Sequence, residues 1–315
     1  MSQVEEQDLF AGMSGLNLGD KIIEFGHGIV LRETYAHIFS TDILSFKKPS
    51  TRHDYHPGPW QANSAREGVD ITAELHIPRE YSHHSSITNF QVAHTIVTLL
   101  RIWADPEITL LLTADRPIPE LMNHKYTGPN AEGVAFLLSG RDRHIHLALQ
   151  SREKVIENIG WVVEHWENAL NLISSSPEFA FSLSTFDNAQ LIPDRAMMLV
   201  SIWGALEAIF AQSNAELRFR VSAQIAAFLK PRGLARWEKQ KEVLKLYDKR
   251  SAAAHGTLKK HDKEDLVKTF ELLRAAIIGM IERKRVPTKS DLEENAVCQL
   301  NEIMRYNITK GGVAA

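Results

Sequence analysis

The hydrophobic pattern of this chain changes its period near residue 150, and that change restricts the fold more than any other feature. Before it, Val69, Ile71, Ala73, Leu75 and Ile77 alternate with Asp70, Thr72, Glu74 and His76. A two-residue period places the apolar side chains on one face of a β-strand. After it, Val155, Ile159, Val162, Trp166, Ala169 and Ile173 recur every three or four residues, which is the spacing of one helical face. A chain that carries first one period and then the other is expected to be α+β. The expected parts are a mixed, strand-rich N-terminal domain over residues 1–150, a helical connector over 151–190 and an all-α helical bundle over 191–310.

Turn residues refine this outline. Ile22–Ile23 and Ile29–Leu31 read as strands joined at Gly26 and Gly28, and Ile108–Leu112 as a buried strand. Residues 1–10 read as a disordered leader. Residues 47–66, with Pro49, Pro57, Gly58 and Pro59, read as a loop whose Trp60 is expected to plug onto the sheet rather than to form a base-stacking platform. Ser85 and Ser86 are expected to cap a helix over 86–104, and residues 133–139 and 143–149 to pair as a hairpin around Gly140. In the second half, 177–191 looks less regular. Helices are expected from Pro193, over about 215–229, 235–255 and 262–284, and after a capping box at Ser290 and Glu293.

Composition narrows the functional classes. With 44% hydrophobic and 24% charged residues, the chain resembles ordinary soluble globular proteins. Cys298 is the single cysteine, so neither an intramolecular disulfide nor a C-x-x-C metal site exists. No run of about 18 apolar residues occurs, and the acidic N-terminus is unlike a secretion signal; the expectation is a cytoplasmic protein without a membrane partner. His144 and His146 form an H-x-H pair, and His53, His56, His83 and His84 lie upstream. No spacing supplies a third ligand to the pair, so no metal or other cofactor is expected. Net charge is −3, yet residues 215–285 hold 18 Lys and Arg against 9 Asp and Glu, a local +9. Such a segment suits a polyanion, or else is a solvated lysine-rich face.

The basic segment contains Tyr247-Asp248-Lys249-Arg250-Ser251-Ala252-Ala253-Ala254-His255-Gly256. A guanidinium offers a planar fork for a phosphate, and an imidazole exchanges protons near neutral pH. Together they suffice to cleave RNA without a metal: a base activates the ribose 2'-OH for attack on its own phosphate while a cation stabilises the phosphoryl oxygens. Residues five apart on a straight helix differ by about 140° around the axis. Arg250 and His255 therefore meet at one spot if the helix bends or ends near Gly256, or if two copies face each other.

Around this motif, Tyr247 lies on the Arg250 face and either orients it or fills the core. Glu207, on the largely apolar stretch Ala205–Phe210, either orients Arg250 or faces solvent. Ser251 either holds a phosphate or bonds back to its own helix. Lys249, Lys259 and Lys260, with His261, flank the motif as candidate RNA-backbone contacts.

The run from Leu246 to Gly256, preceded by Ala205–Phe210 and Glu216–Val221, resembles the HEPN superfamily, and within it the ApeA-like branch with its Y-x-x-R-S-x-x-x-H-G ending. The resemblance covers roughly the second half of the chain. It implies a helical bundle that homodimerises, with two motifs facing each other, and a metal-independent endoribonuclease serving antiphage defence or a toxin–antitoxin stress response. His255 would be the general acid or base and Arg250 the phosphate ligand, with a possible antitoxin or sensor as a further partner. Other members of the superfamily are non-catalytic and only bind RNA or a nucleotide. A third reading is an interaction protein whose bundle only dimerises. HEPN toxins controlled by nucleotidyltransferase antitoxins often carry a tyrosine two residues after the histidine; here Thr257 stands there.

Overall fold

In a computed structural model, residues 8–38, 42–51, 56, 58–63, 68–81, 87–123, 143–145, 147, 154–211, 217–254 and 263–292 are described. The chain divides into two compact units, residues 1–140 with 150–159, and residues 141–149 with 160–315. The architecture is α+β, an antiparallel sheet followed by a helical bundle.

The first unit is built on β1 (Leu9–Ser14), β2 (Ile23–Gly26), β3 (Ile29–Ile38), β6 (Val69–Ile77) and β7 (Thr109–Ala114). They form a five-stranded sheet in the order β2-β3-β6-β1-β7. A separate pair joins β4 (Asp42–Ser45) to β5 (Trp60–Asn63). The alternating run at 69–77 is β6, paired with β1 on one side and β3 on the other. The expected turn at 26–28 joins β2 to β3, with Gly26, His27 and Gly28 all at positive φ.

Several expectations for this unit are corrected. Leu9 and Phe10 are not leader residues but open β1, an interior strand of the sheet. Phe10, Ala11, Gly12 and Met13 are all buried, so the strand has no alternation by which to recognise it. Gly12 is there for proximity: a Cβ would lie 2.6 Å from Ile118 Cδ1 and 3.2 Å from Ile71 Cγ2. The helix α1 (Asn89–Trp103) is capped by Thr88 with Gln91, not by Ser85 or Ser86. Trp60 begins β5 and is 63% exposed rather than plugged onto the sheet. Residues 143–145 and 147 are not strand, and the rest of the expected hairpin lies outside the described residues.

Glu74, one of the polar positions of β6, is fully buried. Its Oε1 accepts from Arg32 Nε at 2.9 Å and Nη2 at 2.6 Å, and its Oε2 from the backbone of Ile118 at 2.6 Å. Ile118 opens the 3₁₀ turn Ile118–Asn123. A carboxylate survives burial here because charge-assisted donors replace its water.

The helices are α2 (Val155–Ser175), α3 (Pro177–Ala189), α4 (Arg195–Phe210), α5 (Leu217–Leu229), α6 (Leu234–Ala254) and α7 (Lys263–Arg283). The expected connector belongs to the bundle from residue 160 onward. Its irregular stretch is α3, capped by Ser176 and started by Pro177, and α3 packs on α4 and α7. The helix after α7 is capped by Thr288 and Asp291; Ser290 is already inside it, and Glu293 lies outside the described residues. The backbone of Thr288, then Arg285 and the Thr288 hydroxyl, hold the Asp291 carboxyl at a pKa of about 2.

The hub of the bundle is α4, which contacts α3, α5, α6 and α7. Asp194 caps it, accepting from Met197 N at 2.8 Å. No charged side chain occurs between Ala196 and Leu206, so a helix met by neighbours on several sides carries apolar residues all round. Met198, Leu199, Ile202, Trp203, Ala205, Leu206, Ile209 and Phe210 form its buried part.

Candidate functional site

The amphipathic pattern of α6 decides where its arginine goes. Arg236, Gln240, Val243, Tyr247 and Arg250 follow one another at three or four residues, and the first four are buried. Arg250 is therefore on the inward row of the helix, facing α4, and is not a surface arginine.

There it meets Glu207. Arg250 Nη2 lies 3.3 Å from Glu207 Oε2, with the two side chains 30% and 18% exposed. One turn earlier on each helix, Tyr247 and Trp203 pack edge to face with ring centroids 4.9 Å apart. Arg250 also lies 5.7 Å from the centre of the Tyr247 ring. Two residues of α4 and two of α6 thus form one cluster at the crossing of the helices. Burial first, and then the charge and hydrogen bond of Glu207, raise the Tyr247 phenol above its usual range, with Arg250 acting in the opposite direction. Tyr247 is therefore a neutral, buried donor.

The cluster leaves hydrogen-bonding capacity unused. Trp203 Nε1, Glu207 Oε1 and Arg250 Nε are buried without a hydrogen-bond partner. A guanidinium has five N–H donors, and the bond to Glu207 engages one of them. Buried polar atoms are nearly always paired, so three unpaired ones on neighbouring residues set this cluster apart from the rest of the core. The ion pair itself is monodentate and partly solvated, and contributes at most about 1 kcal/mol.

The other expected site residues divide. Glu207 is largely buried and pairs with Arg250. Tyr247 is a core residue touching Arg250. Ser251 is exposed and makes no hydrogen bond among the described residues, so it does not bond back to its helix. Lys249 is not a free backbone contact, since its Nζ lies 3.1 Å from Asp265 Oδ2 on α7. His255, Lys259, Lys260, His261 and the cap at Gly256 lie outside the described residues.

Trp203 was visible in sequence only as one apolar position among many. Its signal as a member of the cluster is its place one turn before Glu207 on the same face. Several basic side chains of the segment pair with acids of the same segment, Arg218 with Asp248, Lys239 with Glu242, Lys249 with Asp265 and Lys268 with Glu264; these acids are already counted in the local +9. Among the described residues no group of three or more His, Cys, Asp or Glu is placed to hold a metal ion. No described helix is long and apolar enough to cross a membrane.

No protein-family model, curated protein or solved structure matches this chain.

Proposed function

We propose that the chain is a metal-independent endoribonuclease, with Arg250 as the phosphate ligand and His255 as the proton-transfer group. The observation that carries this reading is the incompletely paired guanidinium of Arg250, held by Glu207 and Tyr247 at the end of the helix whose sequence runs on to His255. A base removes the proton of the ribose 2'-OH, and that oxygen attacks the adjacent phosphorus. The bond to the 5'-oxygen breaks, and the leaving oxygen takes up a proton. Arg250 stabilises the negative charge that builds on the non-bridging oxygens. The products are a 2',3'-cyclic phosphate and a 5'-OH. The resemblance of this segment to HEPN proteins supports the same chemistry and suggests a role in antiphage defence or a toxin–antitoxin stress response in the cytoplasm. An antitoxin or sensor would then act as regulating partner.

Homodimerisation is part of the proposal, and the outward side of α4 supports it. Met197 is 65% exposed and Val200 36%, and Phe181 of the adjoining α3 is 51% exposed. A Cβ on Gly204 would meet nothing within 4 Å, so another helix can approach closely. The rival reading, a non-catalytic module that binds RNA or a nucleotide, keeps the Arg250 contact without the proton transfer. Incubating the full chain with an RNA oligonucleotide and its DNA counterpart in EDTA separates the two. The nuclease reading expects cleavage of RNA only, lost in His255→Ala. Binding of RNA without cleavage, or cleavage unaffected by His255→Ala, would refute it.

A further inference from the structure

The inward row of α6 supplies the cluster; its outward row carries a second feature. Leu234, Trp237, Lys241, Lys245, Asp248 and Ser251 follow at three or four residues and are all exposed. From Trp237 to Ser251 the row is about 21 Å long at 1.5 Å per residue. The Lys241 ammonium sits 3.2 Å from the centre of the Trp237 ring, which fixes where that charge is presented. Lys241 and Lys245 have no acidic partner among the described residues, in contrast to Lys239, Lys249 and Lys268, each of which does. The turn leading into α6 adds Lys230 and Arg232, likewise exposed and without an acidic partner among the described residues. The acidic residues on or beside the row are Asp248 and Glu238, and Asp248 accepts from two nitrogens of the Arg218 fork, at 2.6 and 2.7 Å.

We propose that this outward row of α6 is a track for the backbone of single-stranded RNA, running from the Trp237–Lys241 pair through Lys245 to Ser251. The inference rests on the ribonuclease reading and extends it, naming residues that hold the substrate strand away from the reacting phosphate. Charge complementarity selects a polyanion: Lys230, Arg232, Lys241, Lys245 and Arg218 outweigh Glu238 and Asp248. Geometry selects one strand. Lys241 and Lys245 stand one turn apart on the row, comparable to the distance between successive phosphates of an extended strand, and Lys230 and Arg232 precede them in the turn before the helix. A membrane surface would call for a broad apolar face beside the charges, whereas the exposed apolar side chains of the row, Leu234 and Trp237, stand together at one end. The row also lies on the helix that bears Arg250 and ends at the free hydroxyl of Ser251, a donor to a phosphate oxygen.

The test uses this chain and a 2'-O-methyl RNA oligonucleotide, which cannot undergo the proposed cleavage, in anisotropy titrations across salt concentration. Lys241→Glu with Lys245→Glu is expected to weaken binding by about tenfold or more near physiological salt. The neutral pair Lys241→Gln with Lys245→Gln should lower the slope of log K against log salt by roughly 1.4, about 0.7 per lost phosphate contact. Lys268→Gln, which removes a lysine already paired with Glu264, should leave both quantities unchanged. Unchanged RNA affinity and slope in the Lys241 and Lys245 variants overturns the track while leaving the ribonuclease reading standing. Loss of binding to vesicles containing phosphatidylserine, with RNA affinity intact, overturns it in favour of a lipid surface. Failure of the wild-type protein to bind the RNA removes the track together with the ribonuclease reading.

Discussion

Arg250→Ala is expected to slow RNA cleavage by about 10²–10³-fold, the usual cost of removing a group that stabilises developing negative charge. Stability should change little. The Arg250–Glu207 pair is monodentate and partly exposed, so its net contribution is at most about 1 kcal/mol, and Glu207 can take up water once the guanidinium is gone. Arg250→Lys keeps the charge but not the planar fork held between Glu207 and Tyr247, and should restore only part of the rate. Initial cleavage rates with thermal melts on the same samples check this. An Arg250→Ala protein that cleaves at the wild-type rate removes Arg250 from the chemistry. One that fails to fold shows the residue to be a structural ion-pair partner instead.

Trp203→Ala is expected to have the largest effect on stability, roughly 3–5 kcal/mol, because it empties a fully buried aromatic position at the hub of the bundle. For a unit of this size that corresponds to a fall in Tm of about 10 °C. The loss should also release Tyr247, whose ring packs on Trp203 at 4.9 Å, and through it the positioning of Arg250. Activity measured well below the melting temperature should therefore drop as well. Trp203→Phe, which retains an aromatic packing partner and removes the unpaired indole N–H, should recover most of the stability. A Trp203→Ala variant within 1 kcal/mol of wild type by chemical denaturation would contradict the packing described for α4 and α6.

How far the sequence disclosed the fold depended on whether burial left a period behind. β6 and α6 each have one solvent-facing row, and their spacing marked them out. β1 has none, because it lies between β6 and β7 and is covered on both faces. Its Gly12 leaves room for the Ile118 side chain. Helix α3 was hidden differently. Pro177, Ser182, Ser184 and Thr185 interrupt its apolar residues, yet Ser182 is buried by hydrogen bonds to Glu178 O and to Ala205 O on α4. A serine that bonds backbone can occupy a core position. The candidate site was legible as far as single residues go: Arg250 stood out by its spacing to His255, and Glu207 as a charge on a largely apolar stretch. The place of Trp203 and the Lys249–Asp265 pair depend on packing between helices, which local spacing does not encode.

The central claim is that an arginine held at the crossing of two helices acts with a histidine five residues further on to make a 2'-oxygen attack its own phosphate. Identification of the new termini on cleaved RNA tests it most directly, by mass spectrometry of a short oligonucleotide digested in EDTA. A 2',3'-cyclic phosphate paired with a 5'-OH, absent from the His255→Ala digest, is the predicted result. A 3'-OH paired with a 5'-phosphate, or the same cyclic ends in undiminished yield from His255→Ala, would contradict it.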